Sequence, residues 1–152
     1  VRTVIFSLIV LCAACVWQTS AAQPDDSSRF AAVDIYLDST EPVAAWQFEF
    51  SSRSGLMKIV GVENGESAAF EGTPYYDREA VQLGTADRII VADFSLADAD
   101  LLPSGRIRIA TLHLMLTGAN APPFDLHLVT AVTRDGRTID ASIRLESQTE
   151  RK

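Results

Sequence analysis

Short runs that alternate apolar and polar residues fill the chain from residue 30 to residue 146. The clearest is Thr138-Ile139-Asp140-Ala141-Ser142-Ile143-Arg144-Leu145-Glu146. Successive side chains of an extended strand point to opposite faces, so Ile139, Ala141, Ile143 and Leu145 share one face and Asp140, Ser142, Arg144 and Glu146 the other. One face is core and the other meets water or a partner, which argues for antiparallel sheets.

A first strand is predicted over residues 30–38, with Val33, Ile35 and Leu37 inward and Asp34, Tyr36 and Asp38 outward. After a turn at 39–42, a second strand carries Ala44, Trp46, Phe48 and Phe50 inward and Ala45, Gln47, Glu49 and Ser51 outward. Large inward side chains, each contributing about 2 kcal/mol when buried, anchor a core. Residues 56–62 have mixed phase, which predicts burial of both faces or a bend, and Glu63-Asn64-Gly65 ends that segment. Residues 66–85 contain Gly72, Pro74 and Gly84 and read as a long excursion that leaves room for a short strand over 80–83.

Strand character resumes over 88–95, and a loop over 96–104 holds Asp98, Asp100 and Pro103. In the next strand, 106–117, Ile107 and Ile109 fall on odd positions but Leu112, Leu114 and Leu116 on even ones. That slip predicts a β-bulge or a doubly buried segment near Ile109-Ala110. A loop over 118–123 leads into an alternating strand with Phe124, Leu126 and Leu128. Arg134-Asp135-Gly136-Arg137 then supplies a hairpin turn, because Asp-Gly accepts the positive φ that tight turns require, and the closing strand is expected directly behind it. No helical period extends over ten residues. About eight short strands with close turns predict an all-β fold, a two-sheet antiparallel sandwich with Greek-key connections.

Residues 1–22 stand apart and read as a secretion signal: Arg2 opens them, residues 4–16 are apolar, and Ser20-Ala21-Ala22 offers small residues for cleavage before Gln23. The apolar run is too short and wrongly flanked for a membrane span. Cys15 behind Ala13-Ala14 offers a competing reading as a lipidated leader, although Cys12 stands where such a signal wants an aliphatic residue. Both readings place the protein outside the cytoplasm, secreted, periplasmic or at the cell surface. Residues 23–29 then form a linker, 30–146 one domain and 147–152 a polar tail.

Cys12 and Cys15 are the only cysteines, so the domain is expected to hold together by packing, and their apolar setting argues against a redox or metal motif. Without the leader, 12 basic residues face 20 acidic ones, a formal charge of -8. This acidity disfavours nucleic acid, whose phosphates call for a basic stripe.

Val43-Ala44-Ala45-Trp46-Gln47-Phe48-Glu49-Phe50 followed by Leu56-Met57-Lys58-Ile59-Val60-Gly61-Val62-Glu63-Asn64-Gly65 resembles the part of cohesin domains in which an aromatic-rich strand precedes a strand ending in a glycine turn. The strand Arg88-Ile89-Ile90-Val91-Ala92-Asp93-Phe94-Ser95, a polar loop and the strand from Gly105 to Leu114 are similar to the later pair of strands in that family. The resemblance covers most of residues 30–146. It implies a jelly-roll sandwich, related in architecture to some carbohydrate-binding modules, and a non-catalytic role in which one sheet face binds a protein partner, dockerin-bearing or other. In length the domain falls short of typical members of that family.

Candidate contacts are the outward strand positions Gln47, Glu49, Asp93, Arg108 and His113, together with Tyr75, Tyr76 and Asp77 in the irregular segment. Adjacent tyrosines give a large contact area with a polar tip, which suits protein recognition and, as the alternative, sugar stacking in a carbohydrate-binding module. Packing of one of those rings onto the end of the sandwich is the plainer expectation. His113 and His127 could share a metal only if their strands lay side by side with a carboxylate between them. Asp98 and Asp100 lack the repeated acid spacing of a calcium loop. No serine lies in a Gly-x-Ser-x-Gly turn, and no carboxylate is marked for catalysis. No cofactor is expected.

Overall fold

The computed structural model describes residues 27–148, so the leader, most of the linker and the end of the polar tail lie outside the described residues. Seven strands and one short helix follow in order: β1 (Ser28–Ser39), β2 (Ala45–Ser51), β3 (Met57–Asn64), α1 (Arg78–Gln82), β4 (Arg88–Phe94), β5 (Gly105–Thr117), β6 (Asp125–Val132) and β7 (Ala141–Ser147). They form two antiparallel sheets, one of four strands in the order β3-β5-β1-β7 and one of three in the order β4-β2-β6. The sheets pack face to face as a jelly-roll sandwich, and β1 begins two residues before the predicted strand.

Between the sheets lies the core that the alternation forecasts. Trp46, Phe48 and Phe50 of β2 are at most 2% exposed and meet Val33, Ile35 and Leu37 of β1 and Leu112, Leu114 and Leu116 of β5 in one buried cluster. Trp46 stacks on Phe48 at 5.7 Å and meets Phe70 edge-on at 6.0 Å. Beneath the three-stranded sheet the packing is therefore aromatic, and beneath the four-stranded sheet it is aliphatic.

Three register shifts keep these rows facing inward. Between β1 and β5, Ile35 pairs with Ala110 and Tyr36 with Arg108, leaving Ile109 as the extra residue of the predicted bulge. Between β3 and β5 the extra residue is Val60, so the inward set changes from Met57 and Ile59 to Val62. This bend explains the mixed phase of residues 56–62. Between β2 and β6, Val129 is extra, and the inward set moves from Leu126 and Leu128 to Ala131. An inserted residue flips the two-residue period, so each bulge reconciles a sequence phase change with one continuous core.

Two expectations are corrected. The short strand over 80–83 is instead the end of α1: the Asp77 carboxylate accepts from the Ala80 N–H at 3.0 Å, Val81 packs into the core, and Gly84 at φ 64° stops the helix. Five residues are too few to show a 3.6-residue period. The closing strand also does not follow the turn at once. Gly136, at φ 80°, makes the turn and Ile139 donates to the Ala131 carbonyl at 3.0 Å, but the chain then leaves β6 and pairs with β1 from Ala141 onward. Ile139 and Ala141 both face the core across that crossing, so the unbroken alternation hides a change of sheet.

Candidate functional site

The pairing of β4, β2 and β6 assembles an outer face from the residues that turn away from the core. Arg88, Ile90, Ala92 and Phe94 of β4 stand opposite Ser51, Glu49, Gln47 and Ala45 of β2, which in turn face Asp125, His127, Thr130 and Val132 of β6. Tyr75 joins the edge of β4 through a two-way backbone bridge to Ala92, with bonds of 2.8 and 3.0 Å. Its ring stacks on Phe94 at 5.9 Å with 13° between the planes. Both rings stay open to solvent, Tyr75 at 62% and Phe94 at 52%.

The two ends of this face differ. At one end Arg88 donates to both Glu49 oxygens at 2.6 and 2.7 Å, and Arg53 lies 3.6 Å from Asp125. The hydrogen bond from Arg88 holds the Glu49 carboxyl below its ordinary pKa. At the other end Ala45, Ala92, Phe94, Tyr75 and Thr130 line a shallow depression of about 380 Å³. Past Phe94 the apolar surface continues over the rim to Leu96 and Leu101, 82% and 65% exposed, where a second depression of about 540 Å³ opens against Ala69 and Glu71.

The outer face of the four-stranded sheet is built otherwise. Arg106 lies 4.3 Å over the Tyr36 ring and reaches Glu146 at 2.5 Å. Arg108 donates to Thr111 Oγ1 at 2.8 Å, and Thr111 donates to Asp34 at 2.6 Å, which also accepts from Gln148 at 3.0 Å. His113 Nε2 lies 2.9 Å from Glu63 Oε1 without the alignment of a hydrogen bond. Its charged groups are largely answered within the sheet.

The structure divides the predicted contacts. Gln47, Glu49 and Tyr75 share the outer face of the three-stranded sheet, while Arg108 and His113 lie on the opposite sheet. Asp93 is corrected: it runs in phase with Ile89 and Val91, points inward opposite Trp46 and is only 8% exposed. Tyr76 is half-buried against the core with Arg78 5.4 Å over its ring, and Asp77 serves as the cap of α1. Of the adjacent tyrosines, one packs down and the other faces out. His113 and His127 sit in different sheets and cannot share a face. Asp98 accepts from Arg134 at 2.9 Å. Among the described residues no group of three or more His, Cys, Asp or Glu side chains is placed to hold a metal. Sequence reasoning missed Phe94, Ile90, Ala92 and Val132. Once Ile89 and Val91 are read as inward, the two-residue period would have put Ile90 and Phe94 on the outside.

No family model and no curated protein matches the chain. Among solved structures, the crystal structure of a CaDoc0917 variant with CaCohA2 at pH 5.5 contains a chain that aligns over 77% of this one and 84% of itself, with a TM-score of 0.54 and 11% identity. The fold is that of a cohesin domain. A non-cellulosomal cohesin from the hyperthermophilic archaeon Archaeoglobus fulgidus aligns over 77% of this chain and 75% of its own, with a TM-score of 0.49 and 14% identity. At 11% identity the CaCohA2 complex speaks for the fold alone, and what the surface does has to come from the chain's own residues.

Proposed function

We propose that this chain is an exported, non-catalytic module that docks another protein on the outer face of its three-stranded sheet, at the end where Tyr75 and Phe94 stack. The observation that carries the reading is the continuous apolar surface from Ala45 and Ala92 through Tyr75 and Phe94 to Leu96 and Leu101, next to an end where charges are already paired. Exposed apolar surface of this kind, rimmed by polar groups, marks docking sites, and aromatic anchors carry most of the binding energy. The CaCohA2 chain of the same fold is crystallised in complex with CaDoc0917, so a dockerin-type partner is the proposed class. Export rests on the leader over residues 1–22.

The test is recovery of partners from the source's secreted proteins on immobilised chain, compared with Phe94→Ala and Tyr75→Ala. Each substitution should weaken capture by about 30-fold, the size of a typical aromatic anchor, and Arg106→Ala on the other sheet should leave it unchanged. Capture that is absent, or indifferent to both ring deletions, would overturn the reading. Retardation of the chain on polysaccharide gels, lost in Tyr75→Ala, would favour the carbohydrate-binding alternative instead.

A further inference from the structure

β7 presents a seven-residue strand edge with nothing paired to it among the described residues. The other edges are covered at least in part: β4 by Tyr75, β6 by Thr138 and Ile139, and β3 by the bond from Ile59 to the Ala86 carbonyl. Gln148 donates to the Ala32 carbonyl, so even-numbered backbone groups face β1 and those of Ile143, Leu145 and Ser147 face outward from the edge. The β1–β7 pairing has no bulge, β7 has no proline, and no charged side chain points inward, so of the devices that blunt edge strands only the outward charges of Arg144 and Glu146 are present. Ile143 and Leu145 face the core yet remain half-buried, as do Leu126 and Leu128 of β6.

The strand is also complementary to itself. Arg144 and Glu146 share its outer face; among the described residues Arg144 has no ion-pair partner, and Glu146 meets Arg106 through Oε1. Antiparallel pairing of two β7 strands about a two-fold axis at Leu145 places each Arg144 opposite Glu146 of the other copy, and Leu145 against its own counterpart over the half-open core. Moving the axis to Arg144 sets the two arginines against each other, and moving it to Ile143 sets Arg144 against a serine. We propose that the chain self-associates through β7 in the register centred on Leu145, joining two four-stranded sheets into one continuous sheet. This contact uses the sheet opposite the Tyr75–Phe94 surface and stands independently of the function proposed above.

The experiment is sedimentation of the full chain over a concentration series, with three variants. Wild type should dimerise reversibly. Arg144→Glu and Glu146→Arg each place like charges opposite one another and should weaken the dimer by about tenfold or more. An equimolar mixture of the two single variants sets the two glutamates of one copy against the two arginines of the other, and should regain wild-type affinity as a heterodimer. Ser147→Pro removes an edge N–H that β1 does not use at an exposed position, and should weaken the dimer with the melting temperature retained. A wild-type chain that stays monomeric, or a dimer that neither single charge reversal weakens, or a mixture that fails to recover, would overturn the proposal.

Discussion

The two outer faces of the sandwich come from the same two-residue alternation and end in opposite states. On the four-stranded sheet, Arg106 binds Glu146, and Arg108 binds Thr111, which binds Asp34, across β5, β1 and β7, so the wet face is largely closed by its own polar contacts. On the three-stranded sheet only the Arg88–Glu49 end is closed in this way, and at the Phe94 end the stacked Tyr75 and Phe94 rings stay open to solvent. Alternation thus specifies that a face meets water, while the chemistry at each outward position decides whether that face is finished. A finished polar face stabilises the fold, and an unfinished apolar one is available for docking.

Damage to the closed face should therefore cost stability, and the largest loss is expected at Gly65. A Cβ placed there would lie 2.2 Å from the Arg108 carbonyl oxygen and 2.8 Å from Ile109 Cα, and both of those belong to backbone held by the bulge. The next residue locks the same spot: the Glu66 N–H donates to the Arg108 carbonyl and its carboxylate accepts from the Arg108 N–H, both at 2.9 Å. Gly65→Ala should destabilise by about 3 kcal/mol or more, read from the urea midpoint, because backbone cannot move aside as a flexible side chain can. An unchanged midpoint would contradict the close approach.

A smaller loss is expected from Thr111→Val, which keeps the shape and removes the hydroxyl between Arg108 and Asp34. Thr111 is 2% exposed, so its neighbours lose a partner that water reaches poorly, and the expected cost is about 1–3 kcal/mol by the same measurement. The matching change on the open face, Val132→Thr, should stay within about 0.5 kcal/mol, since a half-buried outward position has no network to break. Equal effects at the two sites would dissolve the contrast between the faces.

Much of this architecture could be read from the residues because side-chain period and strand direction are local properties. The inward rows of β1 and β2 and the bulge at Ile109 follow from counting odd and even positions. What depends on distant partners could not be read. Arg106 meets Glu146 only because β5, β1 and β7 are neighbours, and the change of sheet after Ile139 leaves the alternation untouched. The division of the predicted contacts between two sheets has the same origin, since sequence gives the face of each strand but not which sheet the strand joins. Asp93 is a different kind of miss. Its phase was legible, and its charge argued for the outside because isolated acids are seldom buried.

That buried acid supplies the finest test of the comparison, because it puts a titratable group beneath the open face. Burial raises the Asp93 pKa, and the hydrogen bond from the Phe94 N–H at 2.8 Å opposes the shift only in part. Trp46 stands opposite it with a buried indole N–H that has no hydrogen-bond partner among the described residues, and Ser95, likewise buried, follows two residues along the chain. A carboxyl whose folded pKa exceeds its unfolded value holds its proton more tightly when folded. Its contribution is therefore fully present below the unfolded pKa and is lost as pH rises through the folded one. Glu41 and Glu49 act in the opposite sense, since hydrogen bonds from Arg137 and Arg88 lower their pKa values, and their contribution is lost as pH falls. Subtracting the melting curve of Asp93→Asn from that of the wild type cancels those two carboxylates and leaves Asp93 alone. The asparagine variant should be the more stable at about pH 7, and its advantage should shrink as pH falls through the raised folded pKa toward the unfolded value of about 3.9. A difference that does not change with pH would mean that the Asp93 carboxylate finds water or a cation in the folded chain, and the core beneath the open face would then be wetter than its packing shows.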